Sequence, residues 1–205
     1  SGANSVTIHL REDRRHILDM DVVKICKNKK ILTKLEISLN NKLLKIALKN
    51  NPDFICLVHE NRKEITTEGG LNLSKNKRKI KNIISKFKKK NIRTSLFIDP
   101  KLKDIKIAKE LNTDCIELHT CKISNLVKQK KNYQRELNNI KNCCYLAKKM
   151  NLEVHAGHGL DYKTTKILTK IKEIKEFNIG HFIIGESIFY GLKKTIQKFI
   201  KIIRK

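Results

Sequence analysis

Seven histidines, His9, His16, His59, His119, His155, His158 and His181, fall outside every long amphipathic segment of the 205-residue chain and sit at or just beyond short β-branched runs. Imidazole titrates near neutrality, so histidines gathered in space can exchange proton-donor and proton-acceptor roles between steps of one reaction. Two carboxylates repeat the pattern. Glu36 lies within KLEIS (34–38) and Glu117 within CIELH (115–119), each between apolar neighbours. With a side-chain period of two, Glu36 points opposite to Leu35 and Ile37, and Glu117 opposite to Ile116 and Leu118. A glutamate placed inside an apolar layer becomes a stronger base, because desolvation disfavours its charge. The plainer alternative is a structural ion pair with a nearby Lys or Arg.

Other residues have the chemistry to hold anions. Arg11, Arg14 and Arg15 follow a strand in HLREDRRH, where a guanidinium can grip a phosphate bidentately, although Glu12 and Asp13 compete as ion-pair partners. ITTEGG (65–70) offers the hydroxyls of Thr66 and Thr67 beside a Gly pair, a composition suited to a loop closing over a ligand. AGHGL (156–160) sets His158 between glycines, and NIGH (178–181) ends in Gly180 and His181 with amides open to an anion. A metal is not expected. His155 and His158 are three apart across a glycine, the wrong alternation for two ligands on one strand face. The six cysteines, Cys26, Cys56, Cys115, Cys121, Cys143 and Cys144, form no CxxC pair and read as free thiols of a reducing cytosol.

The elements that must position these groups alternate along the chain. Strands are predicted at 6–10, 34–38, 54–58, 94–98, 115–119, 152–156 and 181–185. Helices are predicted at about 19–28 and 41–49, and at 76–90, 101–111, 135–150, 162–177 and 188–205, where apolar residues recur at spacings of three and four. Such alternation without a linker indicates a single domain with parallel strands crossed over by helices. Of the two such folds, an open doubly wound sheet usually carries a Gly-rich phosphate turn after its first strand, and the absence of one here leaves it as the less favoured alternative. The expected fold is therefore a (β/α)8 TIM barrel, in which strand C-termini converge on one catalytic face. Seven units are visible where eight are required, and the chain opens at Ser1. The expectation is an N-terminally truncated barrel, inactive and aggregation-prone when expressed alone, because two strand edges would stay unpaired.

Lys and Arg number 46 against 20 Asp and Glu, a formal charge of +26. The excess is mostly Lys, Trp is absent and aromatics make up 5%, whereas a nucleic-acid surface concentrates Arg and aromatic residues in a stripe. On the helix at 76–90, Ile80, Ile83, Ile84 and Phe87 share one side, with Lys79, Lys81, Lys86 and Lys88 mostly elsewhere. Solvated helix faces are the expected origin of the charge, and a polyanion- or nucleic-acid-binding protein on a degenerate barrel scaffold is the alternative. Hydrophobic residues at 40% exclude general disorder. No apolar run reaches the roughly 18 residues of a membrane span, and no signal-peptide pattern opens the chain. A soluble, cytoplasmic protein is expected.

Taken in order, VTIHLREDRRHI, LEIS, CLVHENRKEITTEGGLNL, SLFID, IELHT, AGHGLDY and FNIGHFIIG resemble the pyridoxine 5'-phosphate synthase family of vitamin B6 biosynthesis along the whole chain. The resemblance implies a (β/α) barrel that assembles as a homo-octamer and uses no metal or organic cofactor. It implies two phosphorylated substrates, 1-deoxy-D-xylulose 5-phosphate and 3-amino-2-oxopropyl phosphate, condensed with loss of phosphate and water. It further implies His9 and Glu36 as proton acceptors, His158 as proton donor and Glu117 as their assistant. Arg11, His16 and Thr66 would hold the ketose phosphate, and Gly159, Gly180 and His181 the aminoketone phosphate. The sequence departs from the family pattern at His59 in place of Pro, at Cys121 in place of Gly and at His155 in place of Asn. The family's Asn-x-Asp-His first strand is not within this sequence.

Overall fold

The computed structural model describes residues 1–60 and 69–204. Strands and helices alternate as β1 (Ser5–His9), α1 (Asp19–Lys27), β2 (Leu32–Ile37), α2 (Asn41–Asn50), β3 (Phe54–Leu57), α3 (Leu73–Lys88), β4 (Arg93–Ile98), α4 (Leu102–Glu110) and β5 (Cys115–His119). They continue with α5 (Cys121–Lys128), α6 (Gln134–Lys149), β6 (Glu153–Gly157), α7 (Tyr162–Leu168), β7 (Ile174–Asn178), α8 (His181–Tyr190) and α9 (Leu192–Ile203). All seven strands are parallel and pair in chain order from β1 to β7. The sheet curls into a partial barrel with helices outside. Among the described residues β1 pairs only with β2 and β7 only with β6, yet their inward faces meet, since Thr7 Oγ1 donates to Asn178 Oδ1 at 3.0 Å.

Each helix buries the stripe its apolar spacing defines. On α3 that stripe is Ile80, Ile83, Ile84 and Phe87, all buried, while Lys79, Lys81 and Lys86 are exposed. The outward strand residues Leu35, Ile37, Ile55, Leu57, Leu96, Ile98, Ile116 and Leu118 meet these stripes in one continuous core between sheet and helices. Asparagine does the turning that glycine usually does. Asn51, Asn91, Asn112 and Asn151, each at or just beyond a helix end, take left-handed backbone with φ of 51°, 57°, 60° and 54°, a region Asn tolerates through local hydrogen bonding.

Two boundaries differ from the sequence expectation. HFIIG (181–185) belongs to α8 instead of forming the seventh strand, and the stretch 162–177 divides into α7 and β7. A short apolar run cannot be assigned to strand or helix by periodicity alone. β7 escaped because its inward residues Glu176 and Asn178 are polar, leaving Ile171, Ile174 and Phe177 at helix-like spacing. His181 therefore opens a helix. The amphipathic run at 188–205 contains α9 with the last residues of α8 before it, and α5 appears where no helix was expected. None of the described helices is long and apolar enough to cross a membrane.

Candidate active site

Buried titratable groups of the strands gather on the inward faces, whereas the buried outward residues are apolar apart from Thr33 and Thr94. Alternation brings Thr7 and His9 from β1, Lys34 and Glu36 from β2, Cys56 from β3, Ser95 and Phe97 from β4, Glu117 and His119 from β5, His155 from β6, and Glu176 and Asn178 from β7 into the lumen. At its C-terminal end four predicted catalytic groups come together. His9 Nδ1 lies 3.7 Å from Glu36 Oε2, and His158 Nδ1 lies 3.7 Å from Glu117 Oε1. Carboxylate oxygens of Glu36 and Glu117 and the Cys56 sulfur fall within 4.8 Å of one another.

This crowding separates their proton affinities. Burial, reinforced by the negative charge of Glu117, pushes the Glu36 carboxyl up to about 7. Glu117 is equally enclosed, but His158 and the Lys34 ammonium overcome its burial and hold it below the usual carboxylate value. Asn178 Nδ2 also donates to Glu117 Oε2 at 2.7 Å. His158 moves the other way. Burial opposes its charge, but Glu117 and Glu36 raise its affinity for a proton above that of free imidazole. His9 is lowered to about 4 by burial and by the nearby charges of Arg11 and His158, so it is neutral at pH 7. The site thus pairs a proton-poor imidazole with a proton-rich one.

Local backbone explains how these groups reach each other. A Cβ on Gly157 would stand 2.0 Å from Glu117 Oε1, so only glycine lets that carboxyl lie against β6. His158 adopts φ of 71°, a costly conformation for a residue with a side chain. Thr120 secures it, its single Oγ1 hydrogen shared between the carbonyls of Gly157 at 2.8 Å and His158 at 2.7 Å. The Phe97 ring packs on His158 at 4.3 Å between centroids.

Residues around the centre complete the polar lining. Glu60 bridges His9 and Arg11, at 3.6 Å from His9 Nε2 and 3.8 Å from Arg11 Nε. Arg11 is buried, whereas Arg14 pairs with Asp19 at 2.5 Å and Arg15 with Asp13 at 2.6 Å. Asp13, which also lies 3.7 Å from Arg11 Nε, is one of the two expected competing partners, whereas the Asp19 partner of Arg14 was not foreseen. His119 Nδ1 stands 3.3 Å from Asp99 Oδ1. Burial works against the charge of His119, but Asp99 and Cys121 raise its titration to about 9.

The other predicted ligand contacts are more dispersed. His16 is exposed in the β1–α1 loop, Gly159 is exposed beside Cys121, and Gly180 and His181 form the exposed N-terminus of α8. Thr66 lies outside the described residues. His59 is exposed at the end of β3, and His155 is fully buried within β6 instead of at a strand end. Sequence reading passed over Lys34, Glu60, Glu176 and Asn178. Lys34 carried a readable signal, since it stands two residues before Glu36 and shares its face.

Two groups of described residues could present three ligand atoms to a metal: Glu36, Cys56 and Glu117, and Cys115, Glu153 and His155. Cationic side chains of the protein already address both. Lys34 Nζ lies 3.8 Å from Glu117 Oε2, and Arg93 Nη2 donates to Cys115 Sγ at 3.3 Å and Glu153 Oε2 at 3.0 Å.

The family model described as "Pyridoxal phosphate biosynthesis protein PdxJ" matches residues 1–205. The chain belongs to the PdxJ family. Pyridoxine 5'-phosphate synthase of Pelagibacter ubique is 72% identical over 204 residues, covering 100% of this chain and 85% of that protein. The enzyme of the same name from Zymomonas mobilis is 44% identical over 198 residues, covering 97% and 77%. PdxJ membership makes this an enzyme of pyridoxine 5'-phosphate synthesis. Phosphoribosylanthranilate isomerase of Thermotoga maritima superposes with a TM-score of 0.60 at 13% identity, covering 99% of this chain and 88% of that one, which shows a shared barrel-like fold.

Proposed function

We propose that the PdxJ chain condenses 1-deoxy-D-xylulose 5-phosphate with 3-amino-2-oxopropyl phosphate by general acid–base catalysis at the Glu36–Glu117–His9–His158 cluster. The observation that carries this reading is a close carboxylate pair with a histidine 3.7 Å from each member, an arrangement that pushes the proton affinities of the two imidazoles apart. Joining an amine to a ketone through an imine, eliminating water and closing a ring moves protons repeatedly between carbon, nitrogen and oxygen. Neutral His9 is available to accept a proton, and a dianionic phosphate beside Arg11 would strengthen it as a base. His158, whose hold on a proton Glu117 strengthens, is suited to donate one to a departing oxygen. Glu36, titrating near 7, can take up and release a proton within one cycle.

Arg11, His16 and Thr66 are assigned to the ketose phosphate, and Gly159, Gly180 and His181 to the aminoketone phosphate. The α8 N-terminus supports the second assignment, because free amides at a helix start favour an anion. Assembly into a homo-octamer belongs to the same proposal. The exposed side chains of Ile184, Ile188, Phe189 and Tyr190 on α8 offer apolar surface for a neighbouring copy, and a sedimentation mass of a single chain would contradict it.

Turnover of both substrates by the full-length protein tests the chemistry. His158→Ala and His9→Ala are expected to lower kcat by about 10²–10⁴, the usual contribution of a general acid or base. Variants within tenfold of the parent rate would overturn the assignment.

A further inference from the structure

Among the described residues Lys34 is the one lysine classed as buried, its side chain 1% exposed. Its Nζ meets three groups from strands across the lumen. It donates to His155 Nδ1 at 2.9 Å and to Glu176 Oε1, and it lies 3.8 Å from Glu117 Oε2. An ammonium has three donors and no acceptor, so His155 must receive on Nδ1 and carry its proton on Nε2. That Nε2–H donates to Glu153 Oε1 at 2.7 Å, and Arg93 holds the other Glu153 oxygen at 3.0 Å. The chain of partners fixes the orientation of the His155 ring and aims the Lys34 charge into the lumen.

Like charges this close in an interior cannot both ionise freely, so the environment decides which carboxylate of the Glu36–Glu117 pair keeps the proton. The titratable and charged groups facing the pair are His9 from β1, Lys34 from β2, Cys56 from β3, His155 with His158 from β6 and its following turn, and Glu176 from β7. Lys34 adjoins Glu117 on the same oxygen that Asn178 addresses. We propose that Lys34, aimed by His155 and Glu176, is a positioning residue that holds Glu117 as the carboxylate and so leaves the shared proton on Glu36.

The proposal deepens the acid–base reading and rests on it for its catalytic consequence, but its protonation claim can be measured without turnover. Protein labelled with 13C at the glutamate carboxyl carbon, with signals assigned through Glu36→Gln and Glu117→Gln, reports each titration by NMR. In the parent protein Glu117 is expected to titrate below Glu36, which titrates near 7. In Lys34→Met the Glu117 titration rises by about one to three pH units, the effect of losing an opposite charge about 4 Å away, while Lys34→Arg retains the parent order. If Lys34→Met does not fold, His155→Asn gives the same reading with a smaller rise. An unchanged Glu117 titration in a folded Lys34→Met or His155→Asn protein overturns the proposal. Absence of turnover in a parent protein with the expected NMR order would instead refute the acid–base reading alone.

Discussion

The lumen and the outer helical shell use the same residue types for opposite ends. Lys79, Lys81 and Lys86 on α3 stand in water, where a charge costs nothing to keep and contributes little. Lys34 is enclosed, and its ammonium is held by His155, Glu176 and Glu117. Burial would lower its proton affinity, but Glu117 and its other anionic neighbours raise it above the usual lysine value, so it stays charged. What distinguishes the regions is therefore desolvation and partner geometry, and a charge of +26 describes the shell far more than the site.

Breaking the lumen directly should have the largest effect. Glu36→Gln removes the group that can both take and give a proton, and a loss of about 10²–10⁴ in kcat is expected from steady-state product formation. Gly157→Ala should follow. Its new methyl group would stand where the Glu117 oxygen lies, so a loss of at least about tenfold is expected with the chain still folded by circular dichroism, consistent with the cost of displacing a catalytic group by about 1 Å. Parent-like turnover in Gly157→Ala would show that Glu117 has room to move.

The pair of Asp99 and His119 at the lumen rim sharpens the comparison through pH. Because the folded-state value of His119 is raised from 6.5 to about 9, its contribution to stability is complete below 6.5 and disappears as pH rises through about 9. Urea midpoints should therefore fall less across that window in His119→Gln than in the parent. Identical slopes would mean that folding does not strengthen the hold of His119 on its proton, contradicting the pairing with Asp99. The smallest effect belongs to the shell. Lys79→Ser, Lys81→Ser and Lys86→Ser should each change stability by no more than about 0.5 kcal/mol and leave turnover within twofold, as denaturation curves and kinetics would show.

Much of this contrast was legible in the sequence. Alternation in KLEIS and CIELH placed Glu36 and Glu117 inside, and helix spacing placed the α3 lysines outside, because in both cases apolar neighbours marked the buried side. The same logic hid β7. Its inward face carries Glu176 and Asn178, which are satisfied by Lys34 and Glu117 rather than by apolar packing, so hydropathy gave no strand signal. α8 misled in the reverse sense, since an apolar run reads as interior although Ile188 and Phe189 are each 79% exposed. Lys34 was missed although its spacing from Glu36 puts it on the inward face, because one lysine among many does not stand out by composition. Its role comes from partners brought by β6 and β7, more than a hundred residues away in sequence.

The pH dependence of kcat/KM for pyridoxine 5'-phosphate formation, compared between the parent full-length protein and Glu36→Gln, addresses the central claim most directly. A buried carboxylate acting as base near 7 predicts a parent rate that rises through about pH 7 as Glu36 loses its proton, and a Glu36→Gln rate that is low and lacks that rise. A parent profile flat between pH 6 and 8, or an undiminished Glu36→Gln rate with the same profile, would contradict it.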